Sequence, residues 1–211
     1  MHAVSLPDSK AHLRPALGLL LLTLAGCGLL YAQAATRLTG ALFPAQANGS
    51  LLLRDGKPVG SLLVAQPFSG DGWFQPRPSA AGYNPMAAAG SNQARSNPAL
   101  RARIDAAIAE VAQREGVAPS QVPFDLVTQS GGGLDPHLTP AAARLQIARV
   151  ARARGLDDRQ LETLVQAATE PALWGVFGQP RVNVLKLNLA MEALARSDTR
   201  DAAPARSLPG N

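Results

Sequence analysis

The chain has 211 residues, a formal net charge of +5, 46% apolar residues and one cysteine. A single cysteine excludes an internal disulfide framework and a thiolate metal cluster, so the soluble part must be stabilised by packing. The basic excess is modest and its arginines are spread from Arg37 to Arg206 without a Lys/Arg block interleaved with aromatics, which speaks against nucleic-acid binding.

The first element is an uncharged, mainly apolar run from Pro15 to Thr36. About twenty residues at roughly 1.5 Å rise match a hydrocarbon core of about 30 Å. Lipid requires backbone groups to bond within their own segment, so the run is predicted to be a transmembrane helix. Lys10 and Arg14 precede it, and the short leading tail carries only Asp8 as an acid. The positive-inside rule then predicts a cytoplasmic N-terminus and a domain beyond Arg37 outside, which in a bacterium is the periplasm. Two processing readings compete with the anchor. Ala32-Gln33-Ala34 has the form of a signal-peptide cleavage site, and Leu24-Ala25-Gly26-Cys27 resembles a lipoprotein signal. The run is long for a secretory apolar region of about 7–15 residues, and Gly28–Tyr31 stay apolar after Cys27, so a retained helix is expected. The resulting plan is a tail over 1–14, a membrane helix over 15–36, a soluble domain over 37–197 and a flexible tail over 198–211.

Residues Ser50–Arg54 and Val59–Ala65 flank Asp55-Gly56-Lys57-Pro58. Asp-Gly supplies the positive φ of tight hairpin turns, so two antiparallel strands are predicted. Gln66–Asn97 is dense in Pro, Gly, Ser and Asn, with Trp73, Phe74 and Tyr83 embedded, and reads as an ordered surface loop. Asn97-Pro98 is an N-cap followed by proline at the first helical position. Leu100, Ile104, Ile108 and Val111 form the apolar face, and Gly116 the stop. Val122–Thr128 is a candidate third strand leading into Gly131-Gly132-Gly133. Thr139-Pro140 opens a helix to about Arg154, stopped by Gly155. Asp157 and Gln160 resemble a capping box for the next helix, with Leu161, Leu164 and Val165 inward. Trp174 and Phe177 fall in a Gly/Pro-punctuated connection, and Asn183 caps a last helix with Val184, Leu187, Met191 and Leu194 inward. The fold class is α+β: one transmembrane helix plus a small antiparallel sheet packed by about four helices.

Several groups are weighed for chemistry. Gly131-Gly132-Gly133 can cradle a phosphate through backbone N–H groups, but Leu134-Asp135 follow where a P-loop has Lys and Ser/Thr, so a plain turn is the competing reading. Ser130, Asp135 and His137 have the residue types of a nucleophile triad without the G-x-S-x-G elbow. Asp125, Asp135 and His137 lack a second downstream histidine for a metal site, so His137 is expected to bond a backbone carbonyl and hold its turn. Trp73, Phe74, Arg77 and Tyr83 read either as an interface hot spot or as packing onto the core. Arg144, Arg149, Arg152 and Arg154 share one predicted helix, as a solvated face or as a docking face for anionic groups. Gln146, on the same helix, is given no role by its own chemistry.

Taken in order, six segments carry a resemblance. They are Gln46-Ala47-Asn48-Gly49-Ser50; Arg77-Pro78-Ser79-Ala80 with Tyr83-Asn84; Gly90-Ser91-Asn92 with Ser96-Asn97-Pro98; Val122-Pro123 through Asp125-Leu126-Val127-Thr128 to Ser130-Gly131 and Gly133-Leu134-Asp135-Pro136-His137; Arg149 to Leu156; and Pro180 to Asn188. Together they resemble the C chain of the bacterial high-affinity potassium-transporting P-type ATPase, the Kdp system, over nearly the whole chain to about Leu194.

The resemblance implies a non-catalytic, single-span subunit of the inner membrane with its domain in the periplasm. Its implied partners are a channel-like potassium-binding subunit, the ATP-hydrolysing P-type subunit, a small single-span subunit and membrane lipid. It implies support of assembly and a catalytic-chaperone role that raises the pump subunit's affinity for ATP. No cofactor is tightly bound, ATP being reached through the complex, with nucleotide contacts at Ser130, Gly131, Gly133 and Gln146. Trp73, Phe74, Arg77 and Tyr83 are the expected partner interface. The sequence departs from the family pattern at Ala88-Ala89, at Gln129-Ser130-Gly131-Gly132-Gly133, where a hydroxyl is lost, and at Ala32, where a proline that breaks the helix is common. The rivals from other classes are an anchored periplasmic hydrolase using Ser130 and His137, and a stand-alone binding module.

Overall fold

The computed structural model describes residues 9–201, with side chains over residues 12–196. The outermost parts of the two expected tails, up to residue 8 and beyond 201, lie outside the described residues. The chain divides into two compact units between Ser50 and Leu51.

The first unit is helical. Helix α1 (Ser9–Thr23) runs through a π-helical stretch (Leu24–Tyr31) into α2 (Ala32–Leu42), and a short α3 (Pro44–Ala47) follows. Residues His12–Leu42 form a helix long and apolar enough to cross a membrane, with its side chains exposed. It outlasts the expected end at Thr36. Ala32 continues the hydrogen-bonded path that a proline there would interrupt, and the helix stops at Phe43, whose backbone leaves the helical region before Pro44.

In the second unit, β1 (Leu51–Arg54) and β2 (Lys57–Ser61) form the expected hairpin, pairing Leu51 with Ser61 and Arg54 with Lys57. Asp55 and Gly56 both take positive φ, 52° and 73°, as a type I′ turn requires. The second strand is displaced from Val59–Ala65: it starts at the turn and ends at Ser61. Helix α4 (Pro98–Glu115) is capped at Asn97, whose Oδ1 accepts from Ala99 N–H at 2.9 Å, and ends at Gly116 with φ 71°.

The candidate strand Val122–Thr128 is not a strand. Two 3-10 turns, Pro119–Gln121 and Phe124–Leu126, occupy the region. Pro119 and Pro123 have no N–H to offer a sheet, while Leu126 and Val127 turn inward to the core. Strands β3 (His137–Leu138), β4 (Thr169–Glu170) and β5 (Arg181–Asn183) instead make a second antiparallel sheet in the order β3-β5-β4. The helix expected from Thr139 to Arg154 is two, α5 (Pro140–Leu145) and α6 (Ile147–Arg154), broken at Gln146. Helix α7 (Asp158–Ala168) carries the predicted capping box. Helix α8 (Val184–Asp201) begins at Asn183, whose Oδ1 accepts from Lys186 N–H, and it runs past the expected end at 197.

The core gathers Phe74, Leu138, Val150, Leu161, Val165, Val182, Leu187 and Met191, each nearly or fully excluded from solvent. The architecture is α+β: an apolar helix, then helices packed with small antiparallel sheets.

Candidate functional site

The residues singled out in the sequence converge on one seam, where the long loop lies against α6, α8 and the turn before β3. A loop has no ladder to satisfy its backbone, so buried side chains must do so. Asn188 on α8 grips Phe74: its Oδ1 accepts from Phe74 N–H at 2.9 Å and its Nδ2 donates to Phe74 O at 3.0 Å. Gln146, at the helix break, grips the next residue in the same way. Its Oε1 accepts from Gln75 N–H at 2.7 Å, and its Nε2 donates to Gln75 O at 3.1 Å and to Ala142 O at 3.2 Å. Arg149 donates to Asp71 O at 2.5 Å, Trp73 O at 3.0 Å and Gln146 Oε1 at 2.9 Å. Its countercharge is Glu115, whose side chain is fully buried, at 3.0 Å. Arg154 donates to Gly72 O at 2.7 Å, and its guanidinium lies 4.2 Å from the centre of the Trp73 ring.

Five consecutive residues, Asp71 to Gln75, are thus held by side chains from α6, α8 and the break at Gln146. These contacts place several of the residues singled out in the sequence. Phe74 is fully buried and packs in the core, so its ring is not presented to a partner. Trp73 is half-buried between Phe68 and Arg154. Gln146 is fully buried, with both amide hydrogens donated and its carbonyl oxygen accepting from Gln75 N–H and Arg149. The arginines of the 139–154 stretch are not one solvated face: Arg149 is buried, Arg154 stacks on Trp73, and Arg144 pairs with Glu162 at 2.7 Å.

A second set of contacts holds the next part of the loop to the glycine turn. Arg77 reaches Asp135 at 3.1 Å, and the Tyr83 hydroxyl donates to Arg77 O at 2.9 Å. The Ser79 hydroxyl donates to Gly133 O at 2.6 Å and accepts from the N–H groups of Ala81 and Tyr83. A Cβ on Gly90 would lie 2.5 Å from Gly131 O, and one on Gly133 2.7 Å from Ala89 O. Gly90 and Gly133 therefore permit close approach of two backbones. Ser130 is buried, and its hydroxyl accepts from Asp135 N–H at 3.4 Å. His137 meets the Asp135 carboxylate, through its N–H at 3.0 Å and its ring Nδ1 at 3.2 Å, and not a backbone carbonyl. Asp135 thus lies between the two, donating its N–H to Ser130 and accepting from His137, and Ser130 and His137 make no hydrogen bond to each other. Beside these groups opens a cleft of about 280 Å³, lined by Arg77, Asp125, Asp135, His137, Thr139 and Arg181 among others.

A family model described as "K+-transporting ATPase, c chain" matches residues 13–193. The chain belongs to this KdpC family. It is 59% identical over 179 residues to the potassium-transporting ATPase KdpC subunit of Xanthomonas campestris pv. campestris (strain B100), covering 85% of this chain and 86% of that one. To the subunit of the same name from Shewanella putrefaciens it is 55% identical over 170 residues, covering 81% and 85%. To that of Methylococcus capsulatus it is 49% identical over 186 residues, covering 87% and 98%.

Sequence reasoning missed Glu115 and Asn188 in this KdpC-family chain. Glu115 is the last residue of α4 and Asn188 lies mid-helix in α8, where each reads as a surface polar residue. The available signal is positional: Asn188 follows Val184 and Leu187 and precedes Met191, on the face they bury.

Half-burial would push the Asp135 carboxyl up. Hydrogen bonds from the His137 side chain and N–H and from Arg77, together with the Arg77 charge, outweigh it and hold Asp135 below the usual carboxylate range. A depressed folded value means the contact is fully present above the unfolded value of about 3.9 and is lost as pH falls through the folded one. Proteolytic nicking of residues 77–90 is therefore expected to stay flat from neutral pH to about pH 4 and to rise only below it. Asp135→Asn should raise nicking across that range and remove the acid step. An acid step that persists in the variant would assign it to another group.

Proposed function

We propose that this chain is the non-catalytic assembly subunit of an ATP-driven potassium import complex, anchored in the bacterial inner membrane by its N-terminal helix with the soluble unit in the periplasm. The observation that carries this reading is the use made of the buried polar side chains. Gln146, Arg149, Asn188 and Glu115 all serve to fix the 71–75 backbone, as a scaffold needs. The rigid half of the loop then carries an exposed half, residues 84–89, in which Met86 is 93% exposed. Its partners in this reading are the channel-like potassium-binding subunit, the ATP-hydrolysing subunit and the small single-span subunit. The small residues Gly18, Gly26 and Gly28 favour close helix packing, since a Cβ on any of them meets nothing within 4 Å in the chain itself. A catalytic-chaperone effect on ATP affinity fits this reading as an action through the complex. The saturated Gln146 amide gives no support to direct contact there.

The test is purification of the tagged full-length chain in mild detergent from its host grown on limiting potassium. Recovery of a P-type ATPase subunit and a multi-span subunit at fixed ratio is the expected result, and a chain recovered alone overturns it. Met86→Asp, which breaks no contact within the chain, should reduce recovery of the multi-span subunit. Trp73→Ala or Arg77→Ala should do the same by loosening the loop. Normal recovery with all three removes this loop from the interface.

A further inference from the structure

One feature of the soluble unit serves neither its core nor the seam. Between β4 and β5 the chain makes a tight hairpin: Leu173 N–H donates to Phe177 O, Phe177 N–H and Val176 N–H donate to Leu173 O, and Gly175 N–H donates to Ala172 O. Its tip exposes Leu173 (61%), Trp174 (82%), Val176 (77%) and Phe177 (62%). Turn chemistry does not explain Trp174. Its φ is +53°, followed by +73° at Gly175, a turn in which Asn, Asp or Gly is favoured at both positions. A bulky aromatic in left-handed backbone, almost wholly exposed, is retained against its local preference.

We propose that this hairpin tip inserts into the surface of the lipid bilayer that holds the chain's N-terminal helix. Three observations favour lipid over a protein groove. First, the tip bonds four of its own N–H groups, at residues 173, 175, 176 and 177, which lowers the cost of taking this backbone out of water. Second, residues 171–180 carry no charge, while at the hairpin base Glu170 is shared by the exposed Arg181 and Lys186 at 3.2 and 3.0 Å, leaving two cations against one acid. That is the arrangement of an interfacial element: aromatic and aliphatic side chains ahead, excess positive charge behind at headgroup level. Third, the tip is small. A protein interface of ordinary size takes about 20–30 residues from each partner. A tethered insertion needs only a few side chains, because the tether supplies a high effective concentration. Here the tether is residues 43–50, between the end of α2 at Leu42 and the start of β1 at Leu51.

The proposal rests on the N-terminal helix being a retained anchor, and its test separates the two. The chain has two tryptophans, so Trp73→Phe leaves Trp174 as sole reporter while keeping a ring beneath Arg154. The full-length variant is reconstituted in vesicles of phosphatidylcholine and phosphatidylglycerol, with and without lipids brominated at shallow acyl positions. Trp174 emission should be blue-shifted, resistant to aqueous iodide and quenched by the brominated lipid. Val176→Ser/Phe177→Ser should weaken that quenching by roughly twofold or more as the apolar wedge is lost. A chain that floats with the vesicles but shows a water-exposed, iodide-quenched Trp174 overturns the insertion and leaves the anchor standing. A chain that does not float overturns both. Shielding of Trp174 from both quenchers, gained only when the other subunits co-purify, overturns insertion in favour of a protein groove.

Discussion

Arg149→Met is expected to lower the stability of the soluble unit by about 3–5 kcal/mol, the range for breaking a buried ion pair from one side. Arg149 and Glu115 are 7% and 0% exposed, and the pair bonds through both carboxylate oxygens. Methionine fills a similar volume but leaves the Glu115 carboxylate with only Arg114 beside it, and strands the carbonyls of Asp71 and Trp73. The measurement is urea unfolding of the full-length chain in detergent, read as a fall in the midpoint at unchanged slope. A companion Glu115→Leu change in the Arg149→Met background should recover part of the loss, because no uncompensated charge then remains buried. A loss under about 1 kcal/mol for Arg149→Met alone would show that water reaches the pair in solution.

The second large effect is expected at Gly133→Ala. Its φ is +72°, where an L residue costs about 1–2 kcal/mol. The added Cβ would also lie 2.7 Å from the Ala89 carbonyl oxygen, a backbone atom with little freedom to withdraw, and 3.0 Å from Ala81 Cβ. Overpacking of this kind costs about 1–3 kcal/mol more, for a total of about 2–5 kcal/mol. Gly131 and Gly132 have open space at the same test position and no such φ, so alanine there should change stability by less than about 0.5 kcal/mol. The same urea titration across the three variants separates a packing seam from a phosphate cradle. A cradle that uses the loop's N–H groups would show a nucleotide defect at Gly131→Ala with stability intact.

What could be read from sequence alone follows from how local the signal is. The cap at Asn97-Pro98, the Asp55-Gly56 turn and the Asp157/Gln160 box are decided within a few residues, and each forms as read. The strand assigned to Val122–Thr128 failed because apolar character without period cannot tell a strand from a buried turn, and Pro119 and Pro123 decided it. The break at Gln146 was illegible. Glutamine is a good helix former, and the cause is a backbone grip on Gln75, 71 residues away in sequence. Trp73, Phe74 and Trp174 show the same limit for loops. With no period to assign a face, Phe74 goes to the core, Trp73 lies beneath Arg154 and Trp174 projects from the surface of the unit, although all three look alike in composition.

The grip on Phe74 and Gln75 also sets an order of events in the life of a new chain. Asn188 lies 114 residues downstream of Phe74, in the second turn of the last helix. At a synthesis rate of about 5–20 residues per second, the loop waits on the order of ten seconds for the side chain that will satisfy its backbone. Until then the N–H and carbonyl of Phe74 have only water, so the loop is expected to remain incompletely closed and protease-sensitive until α8 is delivered. Truncation anywhere before Asn188 should therefore leave a chain that never closes, rather than a slightly smaller domain.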